Sequence, residues 1–117
     1  DQNKILDDSL VKVVISDSSE ALFFSRLPIP FHQNNNSLIE TYFYRCLGLY
    51  LYRKDLLSKY IKMPQTTLEK IENIEQLRLI ENRIVIKAEE VNDDGISVDT
   101  PEDLIIMREQ YKDCFVK

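Results

Sequence analysis

The chain has few of the residues on which nucleotide-binding and metal-binding motifs depend. Its 117 residues include two glycines, one histidine and no tryptophan. With so little glycine, neither a phosphate-binding loop nor a dinucleotide-binding fingerprint can be formed. The single histidine, His32, excludes a zinc site built on histidines. These absences argue against an enzyme that binds a nucleotide with this sequence alone.

Basic charge and long apolar runs are also scarce. The net charge is -5, whereas a protein that binds phosphate backbones needs a basic face, so we expect no nucleic-acid partner. No apolar run approaches the roughly 20 residues of a membrane-spanning helix, so we expect no membrane partner. Two cysteines without a visible secretory signal favour a cytoplasmic protein. Because the chain begins with Asp1 rather than Met, we expect it to belong to something longer.

The hydrophobic content of 44% allows one domain, residues 1–117, with a real core. Spacing and composition predict an α/β fold in which short hairpins are followed by helices. The predicted strands are 11–16, 21–25, 42–52 and 83–88, the first two forming a hairpin, and the predicted helices are 54–61, 66–81 and 101–112.

The segment around Asp99 is the most informative. It places one carboxylate between an apolar strand end and a strong helix start, in which Thr100 caps, Pro101 takes the first helical position and Asp103 completes the cap. Open α/β sheets bind ligands and metals at such edges. The alternative is that Asp99 or Thr100 only caps the helix.

Three polar side chains elsewhere are candidates for binding a ligand. Glu75 and Gln76 are adjacent and point about 100 degrees apart on a helix, so they can clamp a polyol from the helix edge. The alternative is a solvated helix face with local charge pairs. Arg26, between two phenylalanines and Pro28, can make a paired contact with a carboxylate ligand, or form a surface ion pair.

The predicted strand 42–52 carries tyrosines at even spacing, which places Tyr50 and its neighbours on one face as core or as a subunit contact. Cys46 lies on the same side. A catalytic thiol needs a nearby base, and the only histidine is distant in sequence, so we interpret Cys46 as an inert buried thiol.

Several short motifs together are similar to one family. They occur in the order Phe24-Ser-Arg26, Pro28-Ile-Pro30, Gly48-Leu-Tyr50-Leu-Tyr-Arg53, Leu68-Glu-Lys-Ile-Glu-Asn-Ile-Glu-Gln-Leu-Arg78 and Val98-Asp-Thr-Pro-Glu-Asp-Leu104. The ordered set resembles the C-terminal portion of the CMP-KDO synthetases, or 3-deoxy-manno-octulosonate cytidylyltransferases. The resemblance covers residues 11–111.

The resemblance implies transfer of a cytidylyl group from CTP to the acid sugar KDO, with release of pyrophosphate, for lipopolysaccharide synthesis. It implies that Asp99 binds catalytic Mg²⁺, that Glu75 and Gln76 contact sugar hydroxyls, and that Arg26 and Tyr50 face the sugar. It also implies a mixed-sheet, Rossmann-like sugar-nucleotide transferase fold. The hairpin and the long aromatic strand are expected to form a homodimer contact.

The sequence departs from the family in two respects. Cys46 stands where the family usually has a histidine, and a thiol is a poor substitute as a hydrogen-bond donor to a sugar. The family's N-terminal nucleotide-binding half is absent, so the isolated chain is expected to be an inactive fragment. Two alternatives remain open: a non-catalytic binding module derived from such an enzyme, and a related enzyme such as a CMP-sialic acid synthetase.

Overall fold

The computed structural model describes residues 5–31, 43–92, 98 and 100–112. These residues form an α/β arrangement, as the sequence predicts. The strands are β1 (Lys12–Ile15), β2 (Ala21–Ser25) and β3 (Tyr44–Arg45), and the helices are α1 (Lys54–Tyr60), α2 (Thr67–Glu72), α3 (Gln76–Glu81) and α4 (Pro101–Gln110).

The three strands form an antiparallel sheet with β1 in the centre. Val13 pairs with Phe24 of β2 and with Tyr44 of β3, and the ladder is irregular between Val14 and Ile15. The β-branched residues of β1 suit this central position, since they pack well on a pleated surface. The predicted hairpin of β1 and β2 is therefore confirmed.

The core lies where the α2–α3 region covers one face of this sheet. Its buried residues are Val13, Ala21, Phe24, Ile74 and Leu77. Leu77 has no exposed surface. Apolar side chains of β1, of β2, of the connection between α2 and α3 and of α3 itself thus meet at one shared interface.

The long strand predicted over 42–52 is wrong for the residues that the structure describes, because only Tyr44–Arg45 is a strand; residue 42 lies outside them. The amide of Cys46 still donates to the carbonyl of Val11 at 2.8 Å. Gly48 then takes a φ of 71°, a left-handed conformation that an extended strand cannot contain. The chain leaves the sheet there.

The strand predicted over 83–88 is reduced to one isolated bridge between Lys87 and Glu20. The amide of Ala21 donates to Ile86 at 2.9 Å, so this segment lies along the outer edge of β2. Arg83, with a φ of 58°, turns the chain out of α3 before that contact.

The single helix predicted over 66–81 is two helices. Asn73 ends α2 in the left-handed conformation, with φ 55° and ψ 46°, which asparagine tolerates better than most residues. The pattern Thr66-Thr-Leu-Glu69 predicts a capping box at the start of this segment. The structure confirms it: the amide of Thr66 donates to the carboxylate of Glu69 at 3.2 Å. The predicted helix 54–61 is confirmed as α1.

The closing helix is confirmed as α4, but its expected burial is not. Leu104 and Ile105, which the spacing made available for a core, are exposed among the described residues. None of the helices in those described ranges is long and apolar enough to cross a membrane.

Candidate functional site: a tyrosine-lined start of helix α3

The break at Asn73 determines where the two predicted sugar-contacting residues lie. Glu75 is the N-cap residue of α3, and Gln76 is its first helical residue. The pair therefore sits at the start of a short helix and not in the middle of a long helical face. Glu75 is exposed and Gln76 is half-buried, so both can reach a ligand from this end.

Tyr60, the last residue of α1, binds Glu75 through its hydroxyl. The hydroxyl donates to the Glu75 carboxylate at 3.1 Å and lies 3.3 Å from its main-chain carbonyl. Only 9% of Tyr60 is exposed. Burial, with a smaller effect of the Glu75 charge, raises the pKa of Tyr60 to about 12. The hydroxyl is therefore protonated, and remains a donor, at any physiological pH.

Tyr52 extends the same cluster towards Gln76. Its ring stacks on that of Tyr60, with centroids 5.7 Å apart and planes inclined by 30°. Burial raises the pKa of Tyr52, and an interaction with the Gln76 side chain offsets part of that rise. Of the two predicted sugar-contacting residues, Glu75 is thus held by the Tyr60 hydroxyl, and Gln76 lies beside Tyr52.

Arg78 contacts the same cluster from α3. Its guanidinium lies 4.6 Å from the centroid of the Tyr60 ring, within the range of a cation–π contact. The same guanidinium donates to both carboxylate oxygens of Glu69 in α2, one of them through Nε at 2.7 Å. The Arg78 hydrogen bond lowers the pKa of Glu69. One arginine therefore connects α2, α3 and the tyrosine stack.

Cys46 and Tyr50 form a second polar pair nearby. The thiol sulfur lies 2.7 Å from the Tyr50 hydroxyl. Burial, followed by this contact, raises the pKa of Tyr50, and the Glu75 charge adds to the effect. Both side chains line an apolar groove of about 490 Å³, with Tyr44, Leu49, Ile86 and Val91 among its walls. Cys46 is half-buried and its thiol is free.

Arg26 makes its side-chain contacts in another direction. Its Nη1 donates to the carbonyls of Asp8 at 3.1 Å and Ser9 at 3.3 Å. Within the described ranges no hydrogen bond or ion pair joins it to Glu75 or Gln76. The structure therefore brings Tyr50, Glu75 and Gln76 into one neighbourhood but gives Arg26 no contact with them.

Asp99, the predicted magnesium ligand, lies outside the described residues. Its neighbour Thr100 is well defined as the N-cap of α4: its hydroxyl accepts from the amide of Asp103 at 3.2 Å, and its amide donates to the Asp103 carboxylate at 2.9 Å. No group of three or more metal-ligating side chains occurs in the part of the chain that the structure describes.

The sequence did not identify the residues that support this site. Spacing places Tyr60 only on the apolar face of the predicted helix 54–61, and the capping box gives Glu69 only a capping role. Glu72, whose carboxylate accepts from the Ser25 hydroxyl at 3.0 and 3.1 Å, belongs to the helix face that the sequence predicts as solvated. The sequence does contain one signal for Glu69. Glu69 and Arg78 are nine residues apart, too far to pair on one continuous helix, so an ion pair between them requires the helix to break.

Comparison with known proteins identifies the family of the chain. Residues 1–90 match the family model described as Cytidylyltransferase. The chain belongs to the cytidylyltransferase family. The resemblance to the CMP-KDO synthetases noted in the sequence is thereby supported at the level of the family.

Individual relatives are named 3-deoxy-manno-octulosonate cytidylyltransferase, the name of the family that the sequence motifs resemble. The chain is 40% identical over 104 residues to the 3-deoxy-manno-octulosonate cytidylyltransferase of Solibacter usitatus, which covers 89% of the chain and 40% of the relative. It is 39% identical over 116 residues to that of Chlorobaculum tepidum, covering 98% and 46%. With that of Geobacter sulfurreducens it shares 42% identity over 115 residues, covering 92% and 46%.

A solved structure of the family has the same fold. A CMP:2-keto-3-deoxy-manno-octonic acid synthetase complexed with CTP superposes with a TM-score of 0.87 at 35% identity, over 98% of this chain and 46% of that one. This likeness confirms the α/β fold class. In each comparison the chain spans less than half the length of the relative.

Proposed function

We propose that this chain is the sugar-recognition part of a CMP-KDO synthetase, which transfers CMP from CTP to 3-deoxy-D-manno-octulosonate and releases pyrophosphate. The observation that carries the proposal is that Glu75 and Gln76 share one helix start, where the Tyr60 hydroxyl holds the Glu75 carboxylate. The similarity of about 40% to enzymes of that name supports it.

The chemistry of KDO suits these side chains. It is an eight-carbon polyol with a carboxylate, and a site for it needs acceptors and donors for hydroxyls and a cation for the acid group. In our proposal, Glu75 accepts hydrogen bonds from sugar hydroxyls, Gln76 donates and accepts, and the neutral Tyr50 hydroxyl donates. For the sugar carboxylate we propose Arg26, whose guanidinium must exchange its hydrogen bonds to the Asp8 and Ser9 carbonyls for the acid group.

For magnesium we propose Asp99 as one ligand. Mg²⁺ prefers hard oxygen ligands and keeps several waters, so a single carboxylate is a plausible but incomplete site. When bound, the metal neutralises charge on the attacked phosphate. The residues of this chain have a different task, which is to bind and orient the sugar.

We further propose that nucleotide binding depends on the portion of the relatives that this chain does not cover. This chain of 1–117 is then the C-terminal, sugar-binding and dimerising part of a Rossmann-like transferase, and by itself it is inactive. The scarcity of glycine supports this division, because Gly48 and Gly95 are too far apart in sequence to form a phosphate-binding loop.

We also propose a cytoplasmic homodimer that acts in lipopolysaccharide synthesis. Large apolar side chains next to the sheet support a subunit contact: Phe31 is 90% exposed, Leu49 84% and Leu51 96%. A group of such residues marks a surface that another protein chain covers. The contact would include the segment that follows β3.

Calorimetric titration of the chain with KDO tests sugar recognition. We expect binding that Glu75→Ala and Gln76→Ala each weaken, while Glu109→Ala, which removes an exposed carboxylate from α4, leaves the affinity unchanged. N-acetylneuraminate, the sugar of the alternative enzyme, should bind more weakly. Equal affinity for both acid sugars would contradict the assignment of KDO.

The transfer reaction tests the division of labour. The chain alone is expected to form no CMP-KDO from CTP and KDO in the presence of Mg²⁺. The same chain joined behind the N-terminal portion of the Chlorobaculum tepidum relative should form it, and Asp99→Asn in that fusion should abolish the reaction. Transfer by the chain alone would show that nucleotide binding does not depend on the portion it lacks.

A further inference from the structure

The carboxylate of Glu75 is exposed, yet one buried donor holds it. The Tyr60 hydroxyl contacts both the side chain and the main-chain carbonyl of Glu75, at 3.1 and 3.3 Å. A glutamate on a surface ordinarily samples several rotamers, and a ligand that binds it must restrict them. In this chain Tyr60, at the end of α1, already restricts the Glu75 side chain before a ligand binds.

Tyr60 is in turn fixed on two sides. Tyr52 stacks on its ring at a centroid distance of 5.7 Å, and the guanidinium of Arg78 lies 4.6 Å from the ring centroid. Arg78 is itself held by both carboxylate oxygens of Glu69, whose side chain is only 6% exposed. The hydroxyl therefore has a defined position before any ligand arrives.

We propose that Tyr60 is a positioning residue of the sugar site: its hydroxyl orients the Glu75 carboxylate towards the ligand, and the Tyr52 and Arg78 contacts fix the Tyr60 ring for this task. This inference rests on the function proposed above. Tyr60 uses one of the several acceptor positions of the carboxylate and leaves the others for sugar hydroxyls. A site held in this way binds a polyol with less loss of side-chain entropy.

The charge state of the cluster is consistent with this task. Glu75 contributes to raising the pKa of Tyr50, Tyr52 and Tyr60, after burial in each case. All three hydroxyls are thus neutral, and that of Tyr60 donates to the Glu75 carboxylate. Arg78, which lies over the Tyr60 ring, directs its hydrogen bonds to Glu69 and not to Glu75.

The test is Tyr60→Phe, which keeps the stacked ring and the arginine contact but removes the hydroxyl. KDO binding by the chain, measured by calorimetry, is expected to weaken about tenfold, since a hydrogen bond to a charged group is lost. In a Glu75→Ala background the same substitution should change the affinity no further, because Tyr60 acts through Glu75. Tyr111→Phe, which removes a hydroxyl at the end of α4, is the matched control.

A ligand-free measurement separates this inference from the proposed function. The ¹³C resonance of the Glu75 carboxyl group is expected to shift in Tyr60→Phe and to stay in place in Tyr111→Phe. An unchanged Glu75 signal overturns the positioning role whether or not the sugar binds. If the wild-type chain binds no KDO but the Glu75 resonance shifts in Tyr60→Phe, the proposed sugar is wrong. The role of the Tyr60 hydroxyl in orienting Glu75 is then still supported.

Two further results are decisive when the sugar does bind. Unchanged affinity in Tyr60→Phe overturns the positioning role and leaves the proposed function standing. A loss of affinity that is equally large in the Glu75→Ala background also overturns it, because Tyr60 would then contribute independently of Glu75.

Discussion

Arg78 holds both carboxylate oxygens of Glu69, and by doing so it fixes the angle between two helices that the sequence predicts as one. Glu69 lies in α2 and Arg78 in α3, and their side chains are 6% and 14% exposed. A two-pronged contact of this kind fixes geometry as well as adding energy. The position of Glu75 and Gln76, between the two residues in sequence, depends on it.

Acid should destabilise the chain through Glu69. Its folded-state pKa lies below the ordinary value of 4.5, chiefly because of the Arg78 hydrogen bond, so the unfolded chain takes up the proton first as pH falls. The stabilisation is complete above pH 4.5 and is lost as pH falls through the folded-state pKa. Urea unfolding at a series of pH values should show this loss.

Glu69→Gln should flatten that acid dependence and cost about 2 kcal/mol at neutral pH, the scale of a charged hydrogen bond. Glu109→Gln removes an exposed carboxylate and should leave the pH dependence unchanged. An acid profile that is the same for Glu69→Gln and wild type would show that Glu69 is not the group responsible.

Arg78→Lys should be destabilising although the charge is retained. Lysine lacks the planar fork that donates to the two oxygens of Glu69 from two separate nitrogens, and it lacks the planar group that lies over the Tyr60 ring. We expect a loss of about 1–2 kcal/mol in the free energy of unfolding, measured by chemical denaturation. Arg108→Lys, in exposed α4, is the control and should change stability by less than about 0.5 kcal/mol. Equal stability of Arg78→Lys and wild type would mean that neither the paired hydrogen bonds to Glu69 nor the contact with the Tyr60 ring adds to the free energy of unfolding.

Asn73 should respond to substitution according to its backbone conformation. At φ 55°, Asn73→Ala is expected to cost about 1 kcal/mol, whereas Asn73→Gly should be neutral or slightly stabilising. Asn82, which ends α3 at φ -87°, is the matched control: glycine there should destabilise. Thermal unfolding of the four proteins, including wild type, distinguishes the two positions. Glycine effects of the same sign at both would contradict the assigned left-handed conformation.

Cys46→His should strengthen KDO binding if the chain is the sugar-binding part of an enzyme. An imidazole adds a hydrogen-bond donor beside the Tyr50 hydroxyl, which the sulfur contacts at 2.7 Å. One added hydrogen bond corresponds to an affinity gain of about tenfold or less, measured by calorimetry. Cys46→Ser is the control, because the serine side chain is no longer than that of cysteine and extends no further towards a ligand. No response to histidine would favour the non-catalytic binding module.

The elements that the sequence predicted correctly are those with a strong local signal. The β-branched run of β1, the hairpin with β2 and the Thr100-Pro101 start of α4 each depend on neighbours within a few residues. Three predictions were wrong: the long strand 42–52, the continuous helix 66–81 and the strand 83–88. Each of these segments contains one residue with a positive φ, namely Gly48, Asn73 and Arg83. Asparagine and glycine permit such a conformation but do not require it.

The candidate site was also predicted only in part from the sequence. Tyr50, Glu75 and Gln76 were selected from the sequence, and the structure places them in one neighbourhood. Arg26 was selected with them, yet its guanidinium contacts the carbonyls of Asp8 and Ser9. Asp99 falls outside the described residues, so its magnesium role remains a prediction.

The sequence by itself determined the class of fold, the family and the chemistry available for a sugar, because these depend on residue types and on short motifs in order. Only the tertiary structure decided that Tyr60 reaches Glu75 and that Arg78 reaches Glu69. Those pairs lie 15 and 9 residues apart and face each other only after the chain reverses at Asn73. Local propensity carries no information about which side chains meet across such a turn, since packing of the whole core sets that geometry.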